Sequence, residues 1–192
     1  MFDVDDFINR CQSAIEETEP RLAIRDVLDH ALSAPGAVAD ALRPTEGGIT
    51  FLHRDHALTV LHVVWAPGMR LRPHNHNMWA AIGIYTGAED NEFFRRTGPG
   101  APTLVESGAK RLEVTDVALL GDDTIHAVSN PSAGLTGAIH VYGGDFVERP
   151  RSQWGPGERT ERPYAMADTH QQVADANAAW RAQSTNASTG SA

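Results

Sequence analysis

Hydrophobic positions near the N-terminus repeat with a helical period. Between Asp3 and Glu17, the residues Val4, Phe7, Ile8, Cys11 and Ile15 fall on one helix face. Pro20 opens a second helix carrying Leu22, Ile24, Val27, Leu28 and Leu32. Ala34-Pro35-Gly36 breaks it before a short helix through Leu42. At about residue 47 the period shortens. Ile49–His53, Leu58–Trp65, Trp79–Tyr85, Asn91–Arg95, Ala118–Leu120, Ala127–Ser129 and Gly137–Tyr142 read as short strands. The run from Trp65 to His76 is also strand-like. Turn signals such as Pro67-Gly68, Gly98-Pro99-Gly100 and Asn130-Pro131 separate these runs. Strands at this spacing predict a β-sandwich or barrel.

This pattern divides the chain. Residues 1–46 form a helical segment packing on a barrel at 47–150. A loop and a helix over Met166–Arg181 occupy residues 151–182, and the small, polar stretch 183–192 reads as a disordered tail.

Composition narrows the function classes. With 192 residues, 41% hydrophobic and 21% charged, the chain suits a soluble domain with a real core. A formal charge of -9 argues against nucleic acid or an anionic membrane as partner, since both need a basic face. Cys11 is the sole cysteine, which excludes an intramolecular disulfide, cysteine-rich zinc sites and iron–sulfur clusters. The N-terminus is acidic, without the layout of a signal peptide, and no apolar run of membrane-spanning length occurs. These features set the expectation of a cytoplasmic protein, monomer or homodimer.

The candidate chemistry lies in the histidines. His74 and His76 are one residue apart at the end of an extended run, so their side chains point the same way. His126 follows Gly121-Asp122-Asp123-Thr124-Ile125, and a third imidazole from a distant strand can close one face of a metal ion. Neutral imidazole suits iron, zinc, copper and nickel. A three-histidine face leaves coordination positions open, as a catalytic metal requires. His30, His53, His56, His62 and His170 read as structural or surface residues, and Glu89 and Asp90 as solvated near a turn.

The spacing around these histidines resembles the two motifs of the cupin superfamily. Gly68 precedes His74 by six residues, giving Gly-x5-His-x-His, and Gly121-Asp122 precedes His126, with Asn130 after it. The glutamate usual after His-x-His is absent here, as in the thiol dioxygenase branch. Val64-Trp65-Ala66-Pro67-Gly68, Pro73-His-Asn-His-Asn-Met-Trp-Ala-Ala-Ile-Gly83, Gly87-Ala88-Glu89 and Ile139-His140-Val141-Tyr142 are similar to stretches of bacterial cysteine and mercaptopropionate dioxygenases. The likeness covers roughly residues 47–150.

The resemblance implies an all-β core, a cupin double-stranded β-helix (jelly-roll barrel), with N-terminal helices and a C-terminal helix. It implies iron(II) held by His74, His76 and His126, and an oxidation of a small, carboxylate-bearing thiol by O2 to a sulfinate. It also implies a supporting Ser-x-His-x-Tyr string. Here that string is Ala138-Ile139-His140-Val141-Tyr142, so His140 and Tyr142 are the candidate catalytic pair and the serine is missing. No cysteine is placed to crosslink the tyrosine. The stretch Gly47–Arg54 offers no Arg or Gln at the position where relatives hold the substrate carboxylate. Arg54, Arg70, Arg72 and Arg95 are substitutes. Arg70 and Arg72 share a face with His74 if the strand is regular, and Trp79 is a candidate for the pocket wall. Two other readings keep the fold: a metal-dependent isomerase, decarboxylase or carbon-bond dioxygenase, and a non-catalytic small-molecule-binding protein.

Overall fold

The computed structural model describes residues 1–155 and 160–189, with side chains described to residue 183. Three helices come first: α1 (Val4–Ala14), α2 (Pro20–Leu32) and α3 (Pro35–Leu42). The Asp3 carboxylate caps α1 by accepting the Asp6 N–H at 2.9 Å, and proline opens both α2 and α3. Among the described residues, eleven strands follow: β1 (Gly48–Arg54), β2 (Thr59–Trp65), β3 (Arg70–Asn75), β4 (Ala80–Thr86), β5 (Ala88–Arg96), β6 (Leu104–Glu113), β7 (Val117–Leu120), β8 (Ile125–Ser129), β9 (Thr136–Tyr142), β10 (Ser152–Trp154) and β11 (Glu161–Pro163). Helix α4 spans Met166–Thr189.

The strands form two antiparallel sheets. One has the order β1-β2-β9-β4-β7 and the other β11-β10-β3-β8-β5-β6. Their facing sides enclose a core of Leu61, Val63, Trp65, Leu71, Ile82, Ile84, Val128 and Tyr142. The back of the five-stranded sheet is buried too. There Val60, Ala81, Ile139 and Val141 pack against Phe7, Ile24, Leu28 and Leu32 of the helices. Packing on both faces explains why Thr59–Trp65 and Thr136–Tyr142 are buried at every residue rather than at alternate ones. At Gly83 the helical layer comes close to the sheet: a Cβ there would stand 2.7 Å from a terminal methyl of Leu32, so a larger residue would require that side chain to shift.

Three features depart from the sequence reading. Strand β6 goes unpredicted because nearly all its residues are exposed, leaving no hydrophobic alternation to detect. Strands β10 and β11 carry the sheet past residue 150, with Gln153 pairing His74 on β3. Helix α4 continues through Thr189, into the stretch expected to be a disordered tail, and residues 190–192 lie outside the described ones. Val173 and Ala176 of α4 pack on the core between the sheets, and Asn177 bonds both the N–H and the carbonyl of Gly47 at 2.8 Å. Among the described residues, no helix is long and apolar enough to cross a membrane.

Candidate metal centre

Strand pairing brings the three histidines together. His74 on β3 stands directly opposite His126 on β8, and His76 follows two residues beyond His74. His76 Nε2 lies 3.2 Å from His74 Nε2 and 3.4 Å from His126 Nε2. All three rings are buried, and among the described residues they form the one cluster with metal-ligating geometry.

The tautomers of two rings follow from their surroundings. His74 Nδ1 lies 2.9 Å from the Arg72 carbonyl, which can only accept, so this nitrogen carries the proton and Nε2 keeps its lone pair. His126 Nδ1 lies 2.7 Å from Asn91 Oδ1. The Asn91 amide is oriented by its Nδ2 donating to Glu89 Oε1 at 2.9 Å, so His126 Nε2 is also a lone pair. Burial pushes the His74 pKa down to about 4, and burial together with the neighbouring imidazoles holds His76 and His126 well below the usual range.

Buried lone pairs aimed at one another are unfavourable unless a cation joins them. Two nitrogens each about 2.1 Å from one ion lie about 3.0–3.4 Å apart, so the observed spacings fit a shared metal. The donor set is three neutral nitrogens with no carboxylate, a borderline environment that suits a divalent transition metal. The orienting contacts at Arg72 and Asn91 are of the kind that fix metal-bound imidazoles.

The other predicted residues divide. His140 and Tyr142 on β9 point between the sheets, with His140 Nδ1 and the Tyr142 hydroxyl 3.1 Å apart. The Tyr142 ring lies 5.0 Å from that of His76, and burial raises its pKa, keeping it a phenol. Both residues line a small cavity of about 20 Å³ with the three histidines, Trp65, Phe146 and Tyr164. Arg54 is outside it, held on the surface by Asp145 at 2.9 and 3.0 Å. Arg70 is exposed and bonded to Glu92 at 2.7 and 2.6 Å. The register shifts between Leu71 and His74, so Leu71 lines the cavity beside His74, and Arg70 and Arg72 do not. Trp79 packs with the helical layer on the opposite side of the sheet. His62 also faces that way, 2.6 Å from the Tyr85 hydroxyl.

Two residues at the site escaped the sequence reading. Glu89 is fully buried, not solvated, and accepts from Trp65 Nε1 at 2.7 Å and from Asn91. Its Oε2 is 3.7 Å from His140 Nε2. Burial opposes its charge, but His140, Trp65 and Asn91 together outweigh this and hold its pKa below the usual carboxylate range. Arg151 is the other, buried in the connection between β9 and β10 with its guanidinium against Phe146 and Tyr164. A Gly-x-Glu-x-Asn spacing at residues 87–91, just where alternation turns inward, is the signal that could have found Glu89. Arg151 carries no such signal.

No family model matches the chain. Solved structures resemble it in part. A protein from Bacillus halodurans aligns at 13% identity over 56% of this chain and 77% of its own, with a TM-score of 0.48. A cupin superfamily protein from Desulfitobacterium hafniense aligns at 14% identity over 53% of this chain and 82% of its own, with a TM-score of 0.42. An RmlC-like cupin family protein with a double-stranded β-helix fold from Methanocaldococcus jannaschii aligns at 12% identity, over 55% and 85%, with a TM-score of 0.43. The strand order of the two facing sheets, β2-β9-β4-β7 against β3-β8-β5-β6, is itself that of a jelly roll, a double-stranded β-helix.

Proposed function

We propose that the protein is a non-haem iron(II) dioxygenase that oxidises a small, carboxylate-bearing thiol to a sulfinate. The observation that carries this reading is a buried three-histidine face without a carboxylate ligand, beside a hydrogen-bonded histidine–tyrosine pair. The reaction adds both atoms of O2 to sulfur, R–SH + O2 giving R–SO2H, and balances without a further reductant. Iron(II), when bound, supplies the redox chemistry and the open positions for thiolate and oxygen.

The chain's own residues set the conditions. Three neutral imidazoles leave a dication's charge uncompensated, which favours an anionic thiolate at the open face. Tyr142 keeps its proton and can donate a hydrogen bond to a group bound beside His76. His140 fixes the direction of that hydroxyl. Ile49, Leu61, Val63, Leu71 and Val128 surround the histidines with apolar surface and exclude water, strengthening each polar contact.

The test is anaerobic purification with metal analysis, then oxygen uptake across a panel of thiols with mass-spectrometric detection of products. One iron per chain and a product 32 mass units heavier than the thiol are expected from two added oxygens. Oxygen uptake that yields disulfide and peroxide, or none with any thiol in the iron-loaded protein, overturns the reading.

A further inference from the structure

His140 Nε2 is buried and has no hydrogen-bond partner among the described residues. Its own sheet offers none. The cross-strand neighbours of His140 are Leu61 on β2 and Ile82 on β4, and Ala138, two residues before it on the same face, ends in a methyl group. What faces Nε2 comes from the other sheet. Glu89 Oε2, on β5, lies 3.7 Å away. This is too long for a hydrogen bond but close enough for a charge to decide where a proton sits.

Glu89 is the one buried carboxylate among the described residues. Both of its oxygens accept, Oε2 from Trp65 Nε1 at 2.7 Å and Oε1 from Asn91 Nδ2 at 2.9 Å, the pattern of an ionised group. The two bonds fix the carboxylate, and Trp65 also meets the His140 ring edge-on, with centroids 6.2 Å apart. A buried charge is costly, and two neutral N–H donors leave it uncompensated. Of the three groups against it, His140 is the one that can become a cation.

The place of that charge selects a tautomer. With the proton on Nδ1, the Nε2 lone pair would face a carboxylate. With the proton on Nε2, the N–H faces it, and Nδ1 presents its lone pair to the Tyr142 hydroxyl 3.1 Å away. Carboxylate, imidazole and hydroxyl then stand in series, the order in which a buried acid makes a histidine the base for a hydroxyl. The series ends at the metal ligands, with the Tyr142 ring 5.0 Å from that of His76.

We propose that Glu89 is a positioning residue for the reaction: it holds the His140 proton on Nε2 and leaves Nδ1 free to draw the proton from Tyr142 as Tyr142 takes one from the incoming thiol. The S–H bond breaks and a new O–H bond forms on Tyr142, while the old O–H bond breaks and an N–H bond forms on His140. The S–H electron pair stays on sulfur, and nothing is oxidised or reduced. The products are a thiolate, a neutral tyrosine whose hydroxyl now points at it, and an imidazolium beside Glu89. That the proton comes from a thiol rests on the function proposed above; the tautomer does not.

Two measurements on the unaltered chain test this. In zinc-loaded protein, which has no redox chemistry, heteronuclear NMR of ring-labelled histidines reads the protonated nitrogen of each ring, with His140 identified by its loss in His140→Gln. A proton on Nε2 and none on Nδ1 is expected, and a proton on Nδ1 at neutral pH overturns the proposal. Anaerobic calorimetry with 3-mercaptopropionate, in buffers of different ionisation enthalpy, counts the protons released on binding. The protein as purified should release almost none, and Glu89→Gln about one per thiol bound, the proton then going to solvent. Equal release by the two overturns the relay. If Glu89→Gln does not fold, release of about one proton by the unaltered protein overturns it instead.

Kinetics separates positioning from support of the fold. Glu89→Gln with iron retained should lose kcat by about 10²-fold, the lower range for assisted proton transfer. Adding Ala138→Ser supplies a neutral acceptor on the face of His140 and should recover part of kcat without recovering the thermal midpoint. An unchanged kcat in Glu89→Gln, no recovery by the serine, or recovery only together with the midpoint overturns the positioning role. Failure of the proposed function is distinguishable. Thiol binding with the proton retained but no oxidation leaves the relay standing and removes the dioxygenase. Sulfinate formation with the His140 proton on Nδ1 does the reverse.

Discussion

Glu89 Oε2 lies 3.7 Å from His140 Nε2, although no hydroxyl is available at Ala138, two residues before His140 on the same strand. The same carboxylate accepts from Trp65 and from Asn91, and Asn91 in turn meets His126 Nδ1. One buried charge therefore touches both the support of a metal-ligating histidine and the histidine behind Tyr142. The missing serine leaves His140 without a hydrogen bond at Nε2 but not without a partner.

Glu89→Gln should destabilise the protein by about 2–3 kcal/mol. The carboxylate accepts from Trp65 on one oxygen and from Asn91 on the other, each bond charge-assisted. Glutamine keeps one acceptor and turns an N–H₂ toward the second donor. At roughly 2–4 °C per kcal/mol for a chain of this size, the thermal midpoint should fall by about 4–12 °C. A midpoint within a degree of wild type would show that the network contributes little.

Asn91→Leu tests the other branch. The substitution keeps approximate volume but removes the acceptor that holds His126 in its tautomer. Metal affinity, measured by competition with a chromophoric chelator, should drop about 10- to 100-fold while the fold persists. Wild-type affinity would mean that β8 alone orients the ring.

The parts of the site that were legible are those set by local spacing. His74 near the end of β3 and His76 just past it keep the strand's two-residue spacing and line one cavity, and His140 and Tyr142 share a side because they are two apart on a strand. The fold was legible because both the helical and the strand periods persist over many residues. What failed was extrapolation through an irregularity. Arg70 and Arg72 were aligned with His74 on the premise of a regular strand, and the shift between Leu71 and His74 turns them outward. Trp79 follows His76 by three residues, and the intervening turn at Asn77, with φ of 53°, sends it to the helical face. Arg151 reaches the site through contacts across some 75 residues of sequence with Asn75 and Asn77, which no local pattern encodes.

Acid should destabilise the metal-free protein. In the unfolded chain an imidazole takes a proton as the pH falls through about 6.5, whereas folded His74 does so only near pH 4. Between those values the unfolded state binds more protons, so stability falls with pH by up to about 1.4 kcal/mol per unit for each such histidine. His76 and His126 are depressed in the same direction. Chelator-treated protein should therefore show a midpoint that declines steadily from pH 6.5 to 4. His74→Gln should flatten the slope. A midpoint independent of pH across that window would contradict the burial of these rings as neutral groups.

Tyr142→Phe isolates the hydroxyl from the packing. The ring is buried against Phe146, with centroids 4.4 Å apart, and against His76, so phenylalanine keeps the apolar contacts and the fold. What it loses is the donor aligned by His140 Nδ1. If that hydroxyl stabilises developing charge during oxidation, kcat should fall by about 10²–10³-fold, the usual cost of removing one preorganised donor. Metal content should stay stoichiometric, since no ligand changes. His76→Ala gives the contrasting result, a folded protein without metal. Parallel measurement of iron content, kcat and KM separates the two, and a Tyr142→Phe enzyme with wild-type kcat would reduce the tyrosine to a packing residue.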